Sequence, residues 1–464
     1  MIFEDIFSYF GFVFYLIVFF LVIFYVKRVI SKKGFNVLCM FILTFSMFYF
    51  VVPFFQTYFK YYRDNTSLFT QMLNQKSGDE IFLTLLICLT SLIVIVLSYH
   101  FKFNSKARII NRMNGLQVNV NQNILFKRVN NITDIILIFA VGSIILLINE
   151  VGSLQGYLSL GAQTRGLDKD PTEIIRSSYL QLVTLSTIIL VTPYLYLYLL
   201  RIKKNRVLLI KFIISLLFSI LFLLYNQGRA PLIIFFLPFL FSFSKRKKKG
   251  YWGLIILFIV GIYLLTYLDG LFKYLSYGYY EVDEQVNFIT TFLGEFSYPF
   301  ANFIMRNELV DFSGYRYMYD YIIWPLAMIP SMLLKPLGIK KELIVSVQTY
   351  NTDAYGYFLG VVPSGGIPVD ILTFNYYQLG FISLIFMCFI IGRALRKLDI
   401  VFNYFKDNFA IKIVLYRISF SMINILNNAD ITAIVRNRLD VVVLLIILIY
   451  IYRSSKKLTS IKGD

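Results

Sequence analysis

Apolar residues come along this chain in blocks of roughly 20, the length a helix needs to cross the hydrocarbon core of a membrane. Eleven blocks can be read, near residues 6–26, 35–55, 81–101, 133–150, 179–200, 207–225, 230–244, 251–268, 371–395, 410–426 and 438–452. The pattern predicts an all-α, polytopic integral membrane protein with about 11 transmembrane helices. Three regions follow: helices 1–8 with short loops over 1–268, a large loop over 269–370, and helices 9–11 with a basic tail over 371–464. A loop of that length is too long for a connector and marks a functional segment. It is itself apolar, and Asn287 to Met305 and Tyr321 to Leu334 read as helices lying at, or dipping into, the membrane surface, with Trp324 suited to that depth.

Charge then orients the blocks. Segments rich in Lys and Arg alternate with segments that are not, and the rich ones hold 28 of the 45 basic residues, including the run Lys245-Arg-Lys-Lys-Lys249. By the positive-inside rule these face the cytoplasm, which puts the N-terminus outside, the C-terminus inside and the large loop outside. The net charge of +19 is thus read as membrane topology, with no nucleic acid as partner. The start, Met1-Ile-Phe-Glu-Asp5, is acidic and lacks a small-residue cleavage site, so the first block is expected to stay as a helix. Cys39, Cys88 and Cys388 all fall inside apolar blocks, which leaves neither a disulfide framework nor a CxxC site.

The sequence has no phosphate-binding P-loop, no dinucleotide fingerprint and no zinc-protease motif. Its single histidine, His100, reads as an ordinary interfacial residue. The informative residues are charges on the side assigned as outer. Arg229 precedes Ala230 and Pro231, and Pro suits the first turn of a helix. A helix N-terminus beside a guanidinium matches the oxygens of a phosphate or pyrophosphate. Arg165, and Arg176 with Ser177 and Ser178, are further candidates, with Asp168, Asp170 or Glu173 as alternative partners in a solvated loop. Asp168-Lys-Asp170 is also formally a DxD, a three-residue pattern that arises easily by chance, and no metal site is expected. In the large loop Arg306 and Arg316 supply cations, while Glu295, Asp320 and Asp370 supply carboxylates among apolar neighbours, where a raised pKa suits a base toward a sugar hydroxyl. Arg417 falls near the middle of an apolar block and needs a carboxylate or amide partner, for which Asn424 is a candidate.

Several features together resemble the Wzy-type polymerases that assemble O-antigen or capsular polysaccharide from lipid-linked repeat units. They are the polytopic layout with one large late loop, Gln227-Gly-Arg-Ala-Pro231 opening a block, Gly314-Tyr-Arg-Tyr-Met-Tyr-Asp320 with the Trp324-Pro325, Ile329-Pro330 and Lys335-Pro336 that follow, and Gly360-Val-Val-Pro-Ser-Gly-Gly-Ile-Pro-Val-Asp370 leading into Asn375-Tyr-Tyr-Gln-Leu-Gly380. Where many members carry Glu before Asn-Phe-Gly, this chain has Asp370 and Asn375-Tyr-Tyr-Gln-Leu-Gly380. The resemblance implies a membrane glycosyltransferase of GT-C-like build in the bacterial inner membrane, without cofactor or metal. It would move a growing glycan from undecaprenyl pyrophosphate onto a new lipid-linked repeat unit, alongside a flippase and a chain-length regulator. Asp370, Glu295 and Asp320 would be its acid–base candidates, and Arg229, Arg165, Arg176, Arg306, Arg316 and Arg417 its pyrophosphate-binding ones. The competing readings are a lipid-linked oligosaccharide flippase, an O-antigen ligase, or a purely structural membrane protein. A flippase usually shows repeats, and ligases use an outer histidine that is missing here.

Overall fold

The computed structural model describes residues 6–33, 36–59, 68–101, 122–166, 179–227, 229–244, 296–327, 344–360, 366–404 and 409–447, with isolated positions between 270 and 339 and at 450. Every described secondary-structure element is helical. Among the described residues six helices are long and apolar enough to cross a membrane: Tyr9–Ser31, Val37–Tyr58, Gly78–His100, Phe126–Val151, Gln181–Ile202 and Arg206–Asn226. The apolar block at 251–268 lies outside the described residues.

The chain divides into two compact units woven from alternating stretches. The first takes residues 1–101, 285–399 and 422–434. Here α1 (Ile6–Lys33) packs on α2 (Val37–Tyr58) and α4 (Gly78–His100), with α3 (Leu68–Asn74) between the latter two in sequence. Asn36 caps α2 by accepting from the Cys39 N–H at 2.9 Å, and Glu80 reaches back to the Ser77 N–H at 3.0 Å to close the first turn of α4. Within α2 the stretch Met47–Val51 widens to a π-helix. Pro53 explains this locally, because it has no N–H for the carbonyl four residues earlier, that of Tyr49.

The same unit holds the described helices of the large loop, α10 (Tyr298–Ile304), α11 (Arg306–Ser313), α12 (Tyr319–Ala327) and α13 (Val347–Leu359), followed by α14 (Ile371–Leu379). The helix expected from Asn287 begins at Tyr298 among described residues, and that expected over 321–334 is α12, already under way at Tyr319. The ninth apolar block is not one helix. Gly380, at φ +63 and ψ −140, ends α14, and α15 (Phe381–Tyr404) starts afresh. That conformation suits glycine alone, and a Cβ there would also meet the Tyr315 hydroxyl at 3.3 Å.

The second unit takes residues 102–284, 400–421 and 435–464. Its helices are α5 (Gln122–Val151), α6 (Leu154–Gly166), α7 (Leu180–Ile202, tightened to a 3₁₀ turn over Thr187–Val191), α8 (Arg206–Asn226), α9 (Arg229–Ser244), the start of α16 (Phe409–Asn427), and a helical stretch over 439–447 that follows α17 (Ile431–Asn437). Its core joins Ile144, Leu190, Leu223, Phe235, Ile418 and Leu444 with many smaller contributions. Polar groups among these helices are matched to specific needs. Pro193 denies the Ile189 carbonyl its α-helical donor; the Thr192 N–H takes that place in the 3₁₀ turn, and the Thr192 and Ser219 hydroxyls add bonds to it at 2.8 and 3.1 Å. Lys211, a charge inside an apolar helix, meets Asp134 at 2.7 Å, which also accepts the Tyr196 hydroxyl at 2.7 Å.

Candidate functional site

The first unit gathers its polar side chains around residues 366–380. The extended run Ile367-Pro-Val-Asp370 has backbone carbonyls that need partners. Asn302 of α10 donates to the Pro368 carbonyl at 2.7 Å, Asn351 of α13 donates to Ile367 and Pro368 at 3.3 Å each, and the Ala429 N–H reaches the Val369 carbonyl at 2.7 Å. Asp370 is fully buried and caps α14, accepting from the Leu372 and Thr373 N–H groups at 3.0 and 3.2 Å. The Thr373 hydroxyl donates to its other oxygen at 2.5 Å, and the Tyr49 hydroxyl donates from the π-helical turn of α2. Burial pushes the Asp370 carboxyl up to about 6, against the downward pull of those hydrogen bonds.

A second knot lies on the same helix. The Arg316 guanidinium forks onto Asp320 at 3.0 and 2.8 Å, donates to the Val345 carbonyl at 2.9 Å, and has its carbon 5.0 and 4.9 Å from the rings of Tyr319 and Tyr350. Gln378 donates to Asp320 at 2.9 Å, and the Arg316 and Tyr317 N–H groups bond the Tyr377 and Gln378 carbonyls at 2.8 and 2.9 Å. The main chain turns sharply here, with φ of +48 at Tyr317 and +63 at Met318, conformations that side-chain-bearing residues adopt only under constraint. Two sequence stretches more than 50 residues apart, 314–320 and 370–380, are thus brought together, and in them Arg316 and Asp320 neutralise one another.

Arg306 is different. It opens α11 at 5 % exposure, donates to the Thr84 hydroxyl at 3.0 Å and the Phe303 carbonyl at 3.1 Å, and has its guanidinium carbon 5.2 Å from the Phe303 ring and 5.9 Å from that of Tyr376. Its Nε has no hydrogen-bond partner, and among the described residues no carboxylate forms an ion pair with it. Burial works against its charge, yet an arginine stays protonated. A desolvated cation held by neutral groups is a ready seat for an anion.

In the second unit Gly161 lets α6 close on the end of α8, where a Cβ at that position would stand 1.9 Å from the Tyr225 carbonyl oxygen. Tyr157 stacks on Tyr225 with centroids 4.5 Å apart, and Gln227, in the left-handed conformation that ends α8, donates to the Leu158 carbonyl at 3.1 Å. Arg165 lies one turn beyond Gly161 on α6, and Arg229 is the first residue of α9, two after Gln227. The helix of Arg165 thus meets α8, whose end precedes Arg229 by two residues. Arg417, at 2 % exposure, has the carboxylate of Asp440 as its partner at 2.5 Å, which settles the choice left open in the sequence. Glu295 and Arg176, with Asp168, Asp170 and Glu173, lie outside the described residues.

The sequence reasoning missed Tyr49, Asn302, Asn351, Thr84 and Asp440. A signal existed for two of them: Tyr49 stands four residues before Pro53, and Asp440 is a charge in an apolar block. The asparagines carry none, since nothing local marks an amide that serves a distant carbonyl. Comparison of the chain with protein-family models, with curated proteins and with solved structures finds no match.

Proposed function

We propose that this protein polymerises lipid-linked oligosaccharide repeat units, transferring a growing glycan from undecaprenyl pyrophosphate onto the next unit at the outer face of a bacterial inner membrane. Eleven spans, with the N-terminus outside and the C-terminus in the cytoplasm, are part of that reading. The observation that carries it is Arg306, a buried cation with neutral hydrogen-bond partners and no carboxylate ion pair among the described residues. The departing pyrophosphate is the group such a cation serves, because stabilising negative charge on the leaving group is the largest electrostatic need of this transfer. Arg229 and Arg165, both in the other unit, are the further candidates for phosphate.

The carboxylates take a different part from the one expected of them. Asp370 caps a helix and Asp320 holds Arg316, so both act as positioning groups; Glu295 stays the candidate base toward the acceptor hydroxyl. Arg417, matched with Asp440, is internal and is left out of the phosphate-binding set. The interleaved make-up of the two units differs from the successive repeats on which lipid flippases are usually built, and favours the enzyme over the transporter.

The test is the length distribution of surface polysaccharide in a strain deleted for this gene and complemented with wild type or Arg306→Met at equal expression. Deletion is expected to leave single repeat units on lipid outside the membrane, and Arg306→Met to fail in restoring long chains. Accumulation of repeat units on the cytoplasmic side would overturn the enzyme in favour of a transporter.

A further inference from the structure

Helix α9 carries Pro238 in its interior, so the carbonyl four residues earlier, that of Ile234, loses its helical donor and the ring crowds it. In an apolar bundle that carbonyl must find another partner. It finds Arg417, whose Nη1 donates to it at 3.4 Å, while the neighbouring Phe235 carbonyl accepts the Tyr194 hydroxyl. Arg417 is anchored in turn by Asp440 at 2.5 Å and has its guanidinium carbon 5.7 Å from the Tyr194 ring. Tyr194 itself follows Pro193 and stacks on Phe239 with centroids 4.6 Å apart. Three helical stretches besides α9 thus converge on one proline bend.

We propose that Arg417 is a positioning residue that latches this bend, and through it aims the N-terminal half of α9, which begins with Arg229. The inference deepens the functional reading above and rests on it only for the role of Arg229. The latch uses no substrate contact. It accounts for an arginine kept inside an apolar block at the cost of desolvation, because the charge-assisted bond goes to a carbonyl that a proline has freed.

The half-helix from Arg229 to Phe236 is about 12 Å long, and release of a bend of about 20° swings its tip by about 4 Å. Spin labels at Ser153→Cys and Ala230→Cys in the full chain, whose described native cysteines are buried, report that distance. Arg417→Gln with Asp440→Asn, which removes both charges of the pair together, is expected to shift or broaden it by about 4 Å. In a Pro238→Ala background, where the helix again supplies its own N–H to Ile234, the same pair of changes is expected to shift it by less than about 1 Å. Tyr194→Phe, which keeps the ring and removes one bond of the latch, gives an independent reading in the same direction should the paired variant not fold. A wild-type distance in folded Arg417→Gln/Asp440→Asn overturns the latch whatever the polysaccharide looks like. A shifted distance with full-length polysaccharide upholds the latch and overturns the role of Arg229.

Discussion

Arg306→Met separates a residue kept for binding from one kept for stability. Methionine has a comparable length and no charge. What the substitution removes is two hydrogen bonds from a charged donor, about 1.5–3 kcal/mol each, and ring contacts of about 1 kcal/mol. What it relieves is the burial of a cation without an anionic partner, a cost of several kcal/mol. Thr84 is left satisfied, because its hydroxyl also donates to the Glu80 carbonyl at 2.8 Å. The terms nearly cancel, so purified Arg306→Met is expected to unfold within about 2 kcal/mol of wild type. Ligand response is where the two proteins part. A polyprenyl pyrophosphate at a hundred times its dissociation constant adds about 2.7 kcal/mol to wild type, and little to the variant. Thermal unfolding in detergent, with and without that lipid, measures both quantities. A loss of 3–5 kcal/mol without ligand, or an undiminished response to it, would refute the reasoning, since the first is what breaking a structural ion pair costs.

Two further outcomes follow from the same neighbourhoods. Asp370 has its folded-state carboxyl raised to about 6 above an unfolded value near 4, so its favourable contribution is complete below about pH 4 and is lost as pH rises through 6. Wild type should therefore lose up to about 3 kcal/mol over that window relative to Asp370→Asn, whereas Asp370→Ala, which orphans Tyr49 and two N–H groups, should fall by about 2–4 kcal/mol at neutral pH; melting temperature against pH reads both, and parallel wild-type and Asn curves would count against the burial argument. Gly161→Ala forces α6 away from the Tyr225 carbonyl and should cost about 1–3 kcal/mol in thermal unfolding, with an unchanged midpoint showing that the close approach is dispensable.

Helical character and the first six apolar spans were legible because apolar runs of the right length need no tertiary knowledge. Even there the block at 371–395 hid a break, for Gly380 looks from sequence like any small residue in an apolar run, and only its φ of +63 shows that the chain turns. The stretches 314–320 and 370–380 could be singled out in the sequence, but their mutual contact could not, because the main-chain bonds from Arg316 and Tyr317 to Tyr377 and Gln378 depend on backbone, not on residue type. Arg417 was legible as a charge needing a partner. Its second need, the Ile234 carbonyl, follows from Pro238 almost 180 residues earlier, a distance across which sequence offers no pairing rule.

The two units use their buried polar groups to opposite effect. In the second, Lys211 is matched with Asp134 and Arg417 with Asp440, and the carbonyls that Pro193 and Pro238 deprive of an α-helical donor with hydroxyls and a guanidinium. Such matching is what stability in lipid requires. In the first unit Arg316 is matched by Asp320 and Asp370 by its four donors, but among the described residues no carboxylate forms an ion pair with Arg306. An unbalanced positive charge inside a folded, apolar environment is costly to keep, and packing alone would favour methionine or leucine in its place. Its retention makes sense if a substrate supplies the missing negative charge during turnover, which places the demand for an anion in the unit built from the large loop.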